Sequence, residues 1–229
     1  MLLKFAVREF SRRQNFMKIA VYSGSFDPLH IGHQSIMEHL TAESAFDWVY
    51  LVVSPQNPLK AADKARSGKE RYRAAVDAVK RHPDLHVWVD DIELTMPPPH
   101  YTIRTLDALK AREPENDFTL VIGADNLDSI RRWRDFPRIL SEYGVAVFPR
   151  AGFDVPRIRK ELQKENLLSP APYVLDSYST HSMKGNLGFE GLQEGGYKIR
   201  VIDMPLVDVS STQIRNALAK GEDVSGLLM

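Results

Sequence analysis

Six short runs rich in β-branched and aromatic residues, Ile19–Tyr22, Trp48–Val53, Leu85–Val89, Phe118–Ile122, Val145–Phe148 and Ile199–Ile202, punctuate the chain. Between most of them lie segments of helical periodicity: Gly32–Ser44, Lys69–Arg81, Thr102–Arg112, Asn126–Leu140 and Val155–Glu165. This alternation constrains the fold more than any other feature. Strands buried on both faces read as continuous apolar runs, and a helix between two of them is the crossover that parallel pairing needs. The expected architecture is α/β: a doubly wound, mostly parallel sheet with helices on both faces. In such a sheet ligands bind at the carboxyl ends of the strands, beside the point where strand order reverses.

The 229 residues suffice for one well-buried domain with a modest insertion. We place that domain at 17–229, with an irregular, polar, glycine-bearing insertion around 154–197 and an N-terminal extension over 1–16. The extension holds Lys4, Arg8, Arg12 and Arg13 beside Glu9, and it lacks the apolar core and cleavage site of a secretory signal. Thirty basic residues balance thirty acidic ones, so no global field draws the molecule to nucleic acid or to an anionic membrane. An anion must therefore be bound locally. No apolar stretch approaches the roughly 20 residues that span a bilayer. The absence of cysteine excludes disulfides, thiolate nucleophiles and cysteine zinc sites, and fits a cytoplasmic protein.

The segment Gly24-Ser-Phe-Asp-Pro-Leu-His-Ile-Gly-His33 joins the first strand directly to the first helix. The opening N–H groups of a helix have no internal partners and lie at the positive end of its dipole, so this junction suits a phosphate. His30 and His33, three apart, fall on one face of the first turn and can address one oxyanion. Two familiar phosphate signatures are absent. Gly68-Lys69 is followed by Glu70, with Asp63 where a P-loop needs glycine, and Gly24-Ser-Phe-Asp-Pro-Leu lacks the later glycines of the dinucleotide fingerprint.

Those ten residues resemble the HxGH motif of the nucleotidyltransferase superfamily, and Val209-Ser-Ser-Thr-Gln-Ile-Arg215 resembles its second signature, the S/T-x-x-I-R helix start. Three further stretches are similar to the bacterial nicotinate mononucleotide adenylyltransferases: Ser54-Pro-Gln-Asn-Pro-Leu-Lys60, Pro99-His-Tyr-Thr-Ile-Arg-Thr-Leu106, and Ile122-Gly-Ala-Asp-Asn-Leu127 with Trp133. The resemblance runs from Lys18 to about Leu228. It implies a Rossmann-like fold and transfer of AMP from ATP to nicotinate mononucleotide, giving nicotinate adenine dinucleotide and pyrophosphate. Mg²⁺ would be carried mainly on the ATP phosphates, with no metal site on the protein, and the partners are the two nucleotides, with room for a homo-oligomer.

By resemblance, His30, His33 and Arg215 are the catalytic residues, the histidines on the α-phosphate and Arg215 on the departing β- and γ-phosphates. A His-x-x-His pair alone is more often a surface feature. ATP binding falls to Gly24, Ser25, Phe26, Gly32, Gly123, Asp125, Ser210, Ser211, Thr212 and Ile214. Ser210 with Gln213 also spells a capping box, and Asp125 a strand-end turn. Asp27 reads as the turn initiator of an Asp-Pro pair rather than a neighbour of a metal. The mononucleotide is assigned to Lys60, Tyr101, Thr102 and Trp133. Thr102 is a good helix cap in its own right. Trp133, crowded by Arg131, Arg132 and Arg134, suits a mouth better than an interior. Three alternatives remain: the nicotinamide mononucleotide as substrate, a class I aminoacyl-tRNA synthetase-like domain, whose signature is also spelled His-Ile-Gly-His, and a noncatalytic nucleotide sensor.

Overall fold

A computed structural model describes residues 16–42, 45–55, 66–158, 197–202, 204, 205, 207 and 209–229. All six expected strands form: β1 (Lys18–Gly24), β2 (Trp48–Val53), β3 (Val87–Asp90), β4 (Asp117–Gly123), β5 (Val145–Phe148) and β6 (Ile199–Val201). β3 begins later than the apolar run suggests, because Leu85 closes a turn by donating its N–H to the His82 carbonyl. Every ladder is parallel, and the strands lie in the order β3-β2-β1-β4-β5-β6. The chain works outward from β1 to β3 and then returns to β4 beside β1, so the reversal point lies between β1 and β4.

Alternate residues of the strands feed two separate cores. Ile19, Val21, Tyr50, Val52, Leu120 and Ile122 face helices α3 (Ile92–Thr95), α4 (Thr102–Arg112) and α5 (Ala124–Asp128). Ala20, Tyr22, Leu51, Val53 and Val121 face α1 (Ile31–Ala42) and α2 (Gly68–Lys80). With period two in a strand, one mainly apolar run serves both layers. Met17 is fully buried, and its N–H donates to Asn116 Oδ1 at 3.1 Å, so the packed body already includes the residue where we place the domain start.

The expected helix Asn126–Leu140 is not continuous. α5 ends at Asp128, a 3₁₀ turn covers Ile130–Arg132, and Trp133 is extended with φ −81° and ψ 141°. Asp135 is left-handed at φ 51°, after which α6 (Phe136–Arg138) runs into a π-helical turn, Ile139–Tyr143. Pro137 accounts for part of this, since it has no N–H to give and restricts Phe136 before it, so the helix restarts there instead of passing through. Of the segment expected over Val155–Glu165, residues 155–158 are helical and the rest lies outside the described residues, as do the extension up to residue 15 and most of the insertion. The last helix is α7 (Ser211–Ala219). No helix among the described residues is long and apolar enough to cross a membrane.

Candidate active site

β1 delivers Gly24 to the sheet edge, where a Cβ would stand 3.0 Å from the Phe26 ring. Phe26 has φ 47°, and its ring is buried edge-on to Tyr22 and His33, with centroids at 5.3 and 5.2 Å. Any contribution of Phe26 to a nucleotide comes through its backbone. Asp27, joined to Pro28 by a cis peptide, is more than the turn initiator expected from the sequence. It is buried, and its Oδ1 accepts from Arg66 Nε at 2.7 Å and Nη2 at 2.6 Å.

Arg71 is the residue that sequence reasoning missed most plainly. Its buried guanidinium donates to the carbonyls of Ser25 (2.6 Å), Ser54 (2.8 Å), Pro55 (2.9 Å) and Arg66 (2.9 Å). The signal was available: Arg71 shares the inward stripe of α2 with Ala75, Ala78 and Val79, and a charge in an apolar stripe needs partners. Lys60, expected in the loop that Ser54 and Pro55 open, lies outside the described residues.

The two histidines meet as expected. Their rings stack at 3.7 Å between centroids, and the His30 N–H donates to His33 Nδ1 at 3.3 Å. Neutral His33 therefore carries its proton on Nε2. Gly32 makes room for this, because a Cβ there would approach the His30 ring to 3.1 Å. His30 Nδ1 is buried and has no partner. Burial lowers the His30 pKa to about 4, aided by the positive charge of Arg150. Burial, then His30 and Arg150, hold His33 well below the ordinary imidazole value. Both rings are neutral near pH 7 and meet an anion as preset N–H dipoles.

A cleft opens over the pair, lined also by Tyr22, Ile36, Phe148, Arg150 and Val209. Arg150 follows β5, lies over the Phe148 ring at 5.4 Å, and has Nε 3.7 Å from Asp125 Oδ1. It is the second residue missed, although the strand-end rule applied to Gly123 and Asp125 reaches it equally. A Cβ on Gly123 would meet that same Asp125 oxygen at 2.3 Å, so any other residue where α5 begins would have to displace the Asp125 carboxylate. Asp125 Oδ1 is buried with no hydrogen-bond partner.

α7 closes the site from the other end of the chain. Its capping box is formed: the Gln213 N–H donates to Ser210 Oγ at 3.2 Å, and Gln213 Oε1 accepts from the Ser210 N–H at 2.7 Å. The Ser211 hydroxyl donates to the Pro28 carbonyl at 3.1 Å, and Arg215 donates to the Asp27 carbonyl at 2.7 Å and to Thr212 Oγ1 at 3.2 Å. The guanidinium thus stands on the phosphate loop itself, three residues before His30. Ile214 is a correction. Its side chain is fully buried and its N–H donates to the Ser210 carbonyl, so the side chain packs the helix down and does not face the cleft.

On the opposite face of the sheet, α4 begins at Thr102 with Tyr101 as its cap residue and no side-chain cap. This corrects the reading of Thr102 as a cap. The Tyr101 N–H already donates to the Pro99 carbonyl at 3.0 Å, so Thr102 and Ile103 carry the donors that remain to face an anion. Trp133 packs against the same core as Tyr101, half-buried, and its Nε1 has no partner. The break in the expected helix is what sets it there. Among the described residues, no group of three or more His, Asp or Glu is placed to hold a metal.

The fold is that of a doubly wound, parallel α/β protein with a histidine-lined cleft at the carboxyl end of its sheet. The cytidylyltransferase-like family model matches residues 21–217. A relative from Flavobacterium johnsoniae, named a probable nicotinate-nucleotide adenylyltransferase, is 33% identical over 93% of this chain and 92% of its own length. One of the same name from Bacteroides fragilis is 33% identical over 90% and 85%. The nicotinic acid mononucleotide adenylyltransferase of Plasmodium falciparum, solved with NaAD, aligns with TM-score 0.64 at 17% identity, covering 90% of this chain and 86% of that one, and so supports the fold. The chain belongs to the cytidylyltransferase-like family and, within it, to the nicotinate-nucleotide adenylyltransferases.

Proposed function

We propose that this protein transfers the adenylyl group of ATP to nicotinate mononucleotide, releasing pyrophosphate and nicotinate adenine dinucleotide. The observation that carries the reading is the convergence on one loop of the stacked His30–His33 pair and of Arg215 from α7. The attacking group is a phosphate monoester with a second pKa near ~6, largely dianionic at neutral pH, so no protein base or nucleophile is required. What opposes reaction is the approach of two polyanions and the charge that develops as the α-phosphorus is attacked in line. The N–H of the histidines meets the α-phosphate, and the α7 N-terminus with Arg215 takes the leaving pyrophosphate. Mg²⁺ on the ATP phosphates would neutralise part of the same charge. Gly24, Ser25, Gly32, Gly123 and Asp125 shape the ATP side. On the other face, the α4 N-terminus receives the pyridine carboxylate and Trp133 stacks on the ring.

A cytoplasmic setting suits soluble nucleotide substrates. Coupled release of pyrophosphate from ATP, Mg²⁺ and either mononucleotide tests the reading. We expect kcat/KM to favour the nicotinate form; equal values, or preference for the amide, overturn the substrate assignment. Pyrophosphate exchange that depends on an amino acid would instead support the synthetase alternative, and ATP binding without turnover the sensor.

A further inference from the structure

Glu93 is a buried carboxylate that the adenylyl transfer described above does not use. It is 3% exposed, on the short α3 that follows β3. Its Oε1 accepts from the Thr105 hydroxyl at 2.8 Å and stands 3.5 Å from the Ser23 hydroxyl, while Oε2 is buried with no partner. Ser23 is at the carboxyl end of β1, one residue before Gly24, and Thr105 is on the first turns of α4.

The other end of α4 is held by a matching device. Arg112 donates to both oxygens of buried Asp90, at 3.1 and 2.6 Å, which ties the C-terminal turn to the end of β3. At the N-terminal end, the bonds from His100 to the Met96 carbonyl (3.1 Å) and from Arg104 to the Pro99 carbonyl (2.7 Å) lie within the connection between α3 and α4. They shape that connection without fixing it to the sheet. Glu93, through Thr105 and Ser23, makes a polar tie that does.

We propose that Glu93 is a positioning residue for the mononucleotide: through Thr105 and Ser23 it sets where the uncapped N-terminus of α4 presents its N–H groups. This rests on the assignment of the pyridine carboxylate to that helix end. A carboxylate is a costly choice for a purely structural strut, because a charge with an unmet acceptor in an apolar interior destabilises the fold, whereas an amide of the same shape carries no charge. The geometry therefore separates stability from substrate use.

The test is Glu93→Gln together with Thr105→Val, each assayed for melting temperature, KM of both mononucleotides, KM of ATP and kcat. We expect Glu93→Gln to keep or raise Tm while KM for nicotinate mononucleotide rises about tenfold and the preference over the amide narrows, with KM for ATP unchanged. Thr105→Val, nearly isosteric, should move the same two quantities in the same direction. A fall in Tm with unaltered kinetics, an equal rise in both substrates' KM, or no change at all overturns the proposal. Wild-type protein in the same series separates the two levels: if it fails to use nicotinate mononucleotide, the functional reading falls and this inference with it. If it does and the variants match it, this inference alone falls.

Discussion

The two faces of the sheet at its carboxyl end are built on different principles. On the histidine side, backbone is held by side chains from distant elements: Arg71 takes four carbonyls, Arg215 the Asp27 carbonyl and Ser211 the Pro28 carbonyl. On the α4 and Trp133 side, Arg112 on Asp90 holds the far end of the helix, while its N-terminal end relies on the Glu93–Thr105 bond and the local contacts of one proline-rich connection. Buried atoms without a hydrogen bond occur on both, His30 Nδ1 and Asp125 Oδ1 on the first, the latter beside Arg150, and Glu93 Oε2 and Trp133 Nε1 on the second. The difference teaches where rigidity matters. Charge that develops during reaction is met most effectively by dipoles fixed beforehand, whereas recognition of a planar ring tolerates a looser frame whose contacts are stacking and one helix end.

Substitutions on the two faces should therefore separate cleanly. His33→Ala is expected to lower kcat by about a hundredfold or more with the far-ultraviolet circular dichroism unchanged, since it removes a preset donor at the reacting phosphate. A loss under about tenfold breaks the claim that this face carries the chemistry. Arg215→Ala should raise KM for ATP by about tenfold and leave KM for the mononucleotide alone, because one charge-assisted contact is lost. Trp133→Ala is the mirror experiment: KM for the mononucleotide rises by about tenfold, the scale of one stacking contact, and KM for ATP stays. Crossed effects in these two variants would merge the faces into one site.

The parts legible in the sequence follow the same division. All six strands and the capping box at Ser210 could be read because buried parallel strands and helix starts leave dense local patterns. The histidine pair was legible because three-residue spacing on a helix fixes direction. What escaped depends on tertiary context. Arg66 pairs with Asp27 across 39 residues, and Arg71 gathers carbonyls from three segments. Trp133 is singled out by the resemblance and by its neighbouring arginines, but the backbone that holds it was not visible: a left-handed Asp135 and a restart at Phe136-Pro137 override helical periodicity. Ile214 went the other way. A motif letter suggested ligand contact where the side chain is core.

A smaller effect sharpens the comparison through acidity. His30, held at about 4, and His33, also lowered, both belong to the rigid face. In the unfolded chain each imidazole returns to about 6.5. Between those values the unfolded state binds more protons than the native one, so stability is complete above about 6.5 and declines as the pH falls toward about 4. Thermal melts at steps from pH 7.5 to 5 should show Tm falling on acidification, before carboxylates with ordinary values near ~4 contribute. His33→Asn cannot take up that proton, so its Tm should fall less steeply over the same interval, whatever its value at pH 7.5. Parallel slopes for the two proteins would mean that the His33 ring is not kept neutral by its surroundings, and the preset N–H dipole assigned to it at the α-phosphate would lose its basis.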